Sequence, residues 1–317
     1  MVDFLSTFKG TLLEGFVPAG WDLARMDACC LNGVKDALTR QEHWHPDFQP
    51  VPCDSVEDFN VKLGHEIAME IRRTREESSK LVMILPVGPM GMYRWAVYFL
   101  KEWNISCDHV YGFTMDEWCD SEGNTLDSSN TGSFEYALTE SFYNKLGDLT
   151  VPAAHRNFAT KYNLPTYAEK ITALKKEGAK LVTVFGIGRC FHIAFWEPHF
   201  AEEFSSVDEW KKQTHRIAAK LHPLTIEQNA ITSFKSRTTL VSCNANTVGP
   251  GLFLQSDRII GGCDGYMGRG MQWQGFSLGV TLRYKPDIWV TSSFMPTLPG
   301  RLFFLKELAG PLEADCN

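Results

Sequence analysis

At 317 residues the chain is long enough to bury one large core, and its 44% hydrophobic and 22% charged residues match an ordinary soluble globular protein. No segment approaches the roughly 18 uninterrupted apolar residues of a membrane helix, and a net charge of -7 without a basic run speaks against nucleic acid as a partner. The nine cysteines are odd in number and form no CxxC pair, a pattern of reduced thiols, so neither a disulfide nor a metal site is expected.

The N-terminus carries Asp3 and Glu14 and lacks a basic start with a long apolar run, so it does not read as a secretory signal and a cytoplasmic protein is expected. Residues 1–50 read as an irregular N-terminal extension packed on the main domain, holding Trp21, Cys29-Cys30 and His43-Trp44-His45-Pro46. The extension ends in Gln49-Pro50-Val51-Pro52, and residues 51–317 read as a single α/β domain. His43 and His45, one residue apart with no third ligand nearby, fit a turn better than a metal site.

Phe59, Leu63, Ile67 and Ile71 recur at four-residue spacing behind a Ser55/Asp58 capping box, which predicts a helix over 55–77. The apolar run 81–85 predicts a buried strand, Pro86-Val87-Gly88-Pro89-Met90-Gly91 a turn, and 92–103 a helix. The cadence recurs where 110–113 runs into Met115-Asp116-Glu117 and where 180–185 runs into Gly186-Ile187-Gly188. Such alternation predicts a doubly wound, mostly parallel sheet with helices on both faces, Rossmann-like, with ligands at the carboxyl ends of its strands. The Gly- and Asn-rich segment 225–279 reads as a long loop or hairpin system near the site. Runs 276–280 and 287–292 read as two further strands, and 301–308 as a final short helix.

Two constellations could carry chemistry. In Met115-Asp116-Glu117 one carboxylate can face a cleft as a general base while the other turns back to the protein; an N-cap or solvated loop pair fits the same residues. In Gly186-Ile187-Gly188-Arg189-Cys190-Phe191-His192 the glycines let backbone N–H groups approach a sugar or anion, and Glu197 stands five residues on to orient His192. A buried core histidine fits that position equally.

Together, His192-Ile193-Ala194-Phe195 with Glu197-Pro198, and Phe113-Thr114-Met115-Asp116-Glu117-Trp118, resemble the HIAFNEP and FNMDEY segments of the glucosamine-6-phosphate deaminase/isomerase family. The resemblance implies that Asp116 shuttles a proton between C1 and C2 of an open-chain sugar, that His192 exchanges a proton with the ring oxygen, that Glu197 holds and polarises His192, and that Glu117 supports the acidic end of the site. It implies aldose-to-ketose isomerisation of an amino sugar with deamination and no cofactor. It also implies a small-molecule sugar or sugar phosphate near Val87, Gly88, Gly186, Gly188, Arg189 and Arg301, and is compatible with a homo-oligomer.

The departures fall on the chemistry. Cys190 stands where the family has an active-site aspartate, so a permanent charge is replaced by a mostly neutral thiol, or by a thiolate favoured by Arg189. Phe191 replaces a glycine and either narrows the space above His192 or offers a face for a sugar. Leu85-Pro86-Val87-Gly88-Pro89-Met90-Gly91-Met92-Tyr93 is two residues shorter than the family's phosphate loop and has lost its hydroxyl residues. Residues 292–301 replace a G-S-x-K-A turn without a lysine, leaving Arg301 either to contact phosphate or to lie on the surface. A hydrolase resembling 6-phosphogluconolactonase, and a sugar-binding or regulatory protein without turnover, are the alternatives.

Overall fold

The computed structural model describes residues 5–268 and 271–311, so Gly270 and Cys316 lie outside it. Seven strands form the central sheet: β1 (Phe48–Cys53), β2 (Leu81–Leu85), β3 (Val110–Thr114), β5 (Arg156–Asn157), β6 (Lys180–Gly186), β9 (Arg258–Cys263) and β12 (Gly300–Leu305). A smaller sheet comprises β4 (Asp116–Cys119), β7 (His215–Lys220) and β8 (Asn244–Val248), and a hairpin comprises β10 (Tyr266–Gly268) and β11 (Met271–Gln272). The large sheet has the order β1-β12-β9-β6-β2-β3-β5, with every pairing parallel. The small one has the order β4-β8-β7 and is antiparallel.

From β2 the chain winds outward through β3 to β5, then returns to the other side of β2 as β6 and proceeds to β9 and β12. The winding reverses between β2 and β6, and at such a switch point the loops leaving the two strand ends part to form a crevice. β2 is buried along its whole length, which is why it reads as a continuous apolar run. Helices surround the sheet. The longest, Val56–Glu76, buries Phe59, Leu63, Ile67 and Ile71, and Ser55 Oγ accepts from Asp58 N at 3.1 Å.

Four sequence expectations are corrected. Pro50 and Pro52, read as the end of an irregular extension, lie in β1, at the sheet edge, where a missing N–H costs no ladder bond on the open side. Segment 225–279 is not a long loop; it holds β8, β9, the β10–β11 hairpin and most of the Pro223–Ser233 helix. The run 276–280 belongs to the Gly275–Arg283 helix, and 287–292 makes only one bridge, Asp287 to Val290, before a 3-10 turn over Thr291–Thr297. The segment 301–308 is mostly β12, lying between β1 and β9, with only Lys306–Ala309 helical. The common cause is burial on all sides: a fully buried helix and a fully buried strand both appear as short apolar runs without a period.

The first fifty residues place Trp21, Leu23, Met26 and Cys29 against Phe191, Val280, Tyr284 and Val290. Trp44 Nε1 donates to Leu282 O at 2.7 Å. No helix among the described residues is long and apolar enough to cross a membrane.

Candidate active site

A cavity of about 560 Å³ opens at the switch point, floored by Pro86 to Met90 after β2 and by Gly186, Ile187 and Gly188 at the end of β6. That volume suits a monosaccharide-sized ligand. Of the residues singled out from sequence, Asp116, His192, Val87, Gly88, Gly186 and Gly188 line it.

Met115 carries the chain from one sheet to the other. Its N–H donates to Leu85 O in the large sheet, and its carbonyl accepts from Val248 N at the end of β8. The next two residues are the first of β4, and successive strand residues point to opposite faces. Asp116 therefore faces the cavity, 6% exposed, and no described residue donates a hydrogen bond to its carboxyl. Burial, and secondarily the neighbouring Glu117, push that carboxyl well above the usual range.

Glu117 turns back into the protein and does not line the cavity. It accepts from Trp118 N (2.9 Å), Ser133 Oγ (2.9 Å), Phe134 N (3.0 Å) and Glu135 N (2.9 Å), so it closes the N-terminus of the Phe134–Leu138 helix. Burial still raises its carboxyl despite these donors. Glu117→Ala strands several buried donors and is expected to cost about 3 kcal/mol in urea unfolding. A loss below ~1 kcal/mol would show that the cap matters little.

His192 sits in a tight loop after β6. Its Nδ1 lies 3.2 Å from Glu197 Oε2 and 3.3 Å from Thr225 Oγ1. Burial pushes the Glu197 carboxyl up, but His192, Thr225 and His222 together pull it further down, leaving it below the ordinary range. With Glu197 ionised, Nδ1 carries the proton and Nε2 is left to exchange protons over Gly188, itself a lining residue. The Gly188 N–H is not offered to a ligand; it donates to His192 O at 3.1 Å. The residue's small size is what the site uses, since a Cβ there would fall 1.8 Å from His192 Nε2. Phe191 and Ala194, flanking the loop, have φ of 60° and 54°, a left-handed backbone costing roughly 1 kcal/mol per residue. The bond from Ser292 N to Phe191 O (2.8 Å) and that from Phe195 N to Thr247 Oγ1 (2.9 Å) hold it in place.

Besides Glu117, four sequence candidates are not brought to the cavity. Cys190 is fully buried with Sγ 3.4 Å from His222 Nδ1, and burial drives its thiol far up, so Arg189 does not create a thiolate. Arg189 is exposed, its backbone N–H donating to Gln228 Oε1 at 2.7 Å. Phe191 offers no face to a sugar; its ring packs 4.9 Å from Trp21 and 5.4 Å from Phe276. Arg301 is the second residue of β12, at the amino end of the parallel sheet, whereas the cavity lies at the carboxyl end. There it pairs with buried Glu66 at 2.7 Å, beside Arg258 at 2.6 Å. Arg301→Ala is expected to leave kcat/KM within roughly twofold and to lower stability by about 1 kcal/mol, because Glu66 keeps its second guanidinium. A tenfold rise in KM would return Arg301 to the site.

Asp264, Gln274 and an aromatic wall of Trp118, Phe134 and Phe195 also line the cavity. Trp118 lies 4.8 Å from Phe195 and 5.2 Å from Phe134, ring to ring. Asp264 directly follows β9, and burial raises its carboxyl. The signal of an apolar strand followed by an acid was present, but Ile259-Ile260-Gly261-Gly262-Cys263 is glycine-rich and reads weakly as a strand.

No protein-family model matches the chain. It is 29% identical to glucosamine-6-phosphate deaminase of Clostridioides difficile (strain 630) over 212 residues, 66% of this chain and 76% of that relative. It is also 29% identical to the deaminase of Caenorhabditis elegans over 149 residues, 46% of this chain and 52% of the relative. Against the deaminase of Treponema denticola identity is 29% over 196 residues, 61% and 65% of the two chains. Among solved structures, a monomeric glucosamine-6-phosphate deaminase superposes with a TM-score of 0.65 at 20% identity, covering 82% of this chain and 98% of that one. The 6-phosphogluconolactonase of Trypanosoma brucei gives a TM-score of 0.55 at 14% identity, covering 85% and 100%. With its seven parallel strands the chain shares the fold of these deaminase and lactonase structures, and its sequence is similar to glucosamine-6-phosphate deaminases.

Proposed function

We propose that the protein isomerises an amino sugar from aldose to ketose and releases its amino group as ammonia. The observation that carries this reading is the pairing, on one cavity, of an unpartnered carboxyl, Asp116, with an imidazole, His192, backed by a buried ionised carboxylate. His192 moves a proton from the anomeric hydroxyl to the ring oxygen as the ring C–O bond breaks. Asp116 in its carboxylate form takes the C2 proton, the C2–H electrons form a C1–C2 double bond, and the C1 carbonyl oxygen takes a proton from water, leaving hydroxide. Asp116 then returns its proton to C1, and the iminium so formed at C2 gives its N–H proton to that hydroxide to leave an imine. Water adds to the imine and ammonia departs, so aldosamine plus water gives ketose plus ammonia. Glu197 holds the His192 ring through Nδ1.

The test incubates the protein with free and phosphorylated hexosamines and with 6-phosphogluconolactone, measuring ammonia, ketose and acid. Ammonia and ketose in equal amounts support the reading. Acid release from the lactone alone would replace it with the hydrolase.

A further inference from the structure

We infer that the cavity takes an unphosphorylated sugar, whose end remote from Asp116 is held by the carboxyl of Asp264, with the aromatic wall flanking the sugar on the side of Asp116 and His192. The inference rests on the proposed reading for where the reacting carbons lie, since Asp116 marks that end. The deaminase resemblance leads one to expect a phosphate loop after β2 and a lysine in the turn after a late strand. The late strand whose carboxyl end reaches the cavity is β9, so its turn is Asp264-Gly265 and not 292–301. A carboxyl therefore stands where a cation was expected.

The loop after β2 points the same way. Its side chains on the cavity belong to Pro86, Val87, Pro89 and Met90, none with a hydroxyl or positive charge, and neither proline has an N–H. Met90 N already donates to Gly88 O at 2.7 Å, and Gly91, the first residue of the following helix, lies against Asn60 rather than in the lining. Among the described residues no lysine or arginine lines the cavity; its carboxyls and imidazole are Asp116, Asp264 and His192. A phosphate dianion would meet two carboxyls with no compensating cation among the described residues, in a desolvated space, an arrangement that disfavours it.

The rest of the lining suits an uncharged sugar. Gln274 fixes the Asp264 turn to the β6 loop by accepting from Gly265 N at 2.8 Å and donating to Ile187 O at 2.6 Å. Among the described residues only Asp264's own N–H donates to its carboxyl, which leaves that carboxyl for hydroxyls of a ligand. Trp118, Phe134, Phe195 and Trp273 supply faces for the C–H side of a pyranose.

Calorimetric titration of the full chain with glucosamine and with glucosamine 6-phosphate ranks the two ligands without requiring turnover. The expected result is at least a roughly tenfold tighter Kd for the free sugar, and in a turnover assay a similar kcat/KM preference with no competition by inorganic phosphate. Asp264→Asn, close to isosteric, is expected to raise KM for the free sugar roughly tenfold with kcat little changed. An unchanged melting temperature assigns that loss to binding. Tighter binding of the phosphorylated sugar, competition by inorganic phosphate, or binding of neither ligand would each overturn the inference. Tighter binding of the free sugar with no ammonia from either would sustain it while sinking the proposed reaction.

Discussion

Asp116→Asn is expected to lower ammonia release about 1000-fold and yet to leave the protein more stable than the wild type by about 1 kcal/mol at neutral pH. The two effects share one cause. The carboxyl is buried, receives no hydrogen bond from a described residue, and is held well above the ordinary carboxylate range by that burial and by Glu117. An amide of the same shape is neutral at every pH and escapes the cost of burying a charge, but cannot accept a proton from carbon. The sign with pH follows from the raised value. Between the unfolded value near ~3.9 and the higher folded one, the native state holds the proton more firmly than the unfolded chain, so wild-type stability falls as pH rises through that window. The melting difference between variant and wild type should be small near pH ~4 and grow towards neutrality. Activity should run oppositely, rising with pH as the reactive carboxylate forms, with an acid limb above the ordinary carboxylate range. A variant that retains product formation, or that melts lower than wild type at neutral pH, would remove Asp116 from the role of base.

Gly188→Ala is expected to lower kcat roughly 100-fold with little change in overall fold. A methyl there would lie 1.8 Å from His192 Nε2, 2.3 Å from Cδ2 and 2.3 Å from Cε1, so the ring has to leave its place. It cannot do so freely, because Nδ1 is tied to Glu197 and Thr225 and the loop backbone is fixed at Phe191 and Phe195. Either the ring tilts away from the cavity or the bond to Glu197 breaks, and both misplace the proton-exchanging nitrogen. The change should appear in kcat more than in KM, since Gly188 has little side-chain surface to offer a ligand. Wild-type turnover in this variant would mean that His192 Nε2 takes no part in the reaction.

The strands that could be read from sequence, 81–85, 110–113 and 180–185, are those whose apolar runs are bounded by polar or glycine-rich turns, and the motifs behind them follow directly. Asp116 and His192 were legible because a short polar pattern after a buried run is local information. The roles of Glu117 and Cys190 were not, since each depends on which face of a turn its side chain takes. A one-residue alternation on β4 sends Glu117 to the Phe134–Leu138 helix, and the tight turn before His192 aims Cys190 at His222. Arg301 was misplaced because reading β12 as a helix removed the strand direction that puts it at the far end of the sheet.

The sequence by itself determined the sheet-and-helix alternation, the carboxyl-end location of the acid and histidine segments, and the absence of hydroxyl residues from the loop after β2, because each resides in consecutive residues and their periodicity. Tertiary structure alone decided that β9 and β12 complete the sheet, that Asp264 and the aromatic wall join Asp116 and His192 on one cavity, and that Arg301 does not. Those outcomes rest on pairings between residues far apart in the chain, such as Phe185 with Gly261 and Phe303 with Gly262, and only the closed parallel register brings their ends together.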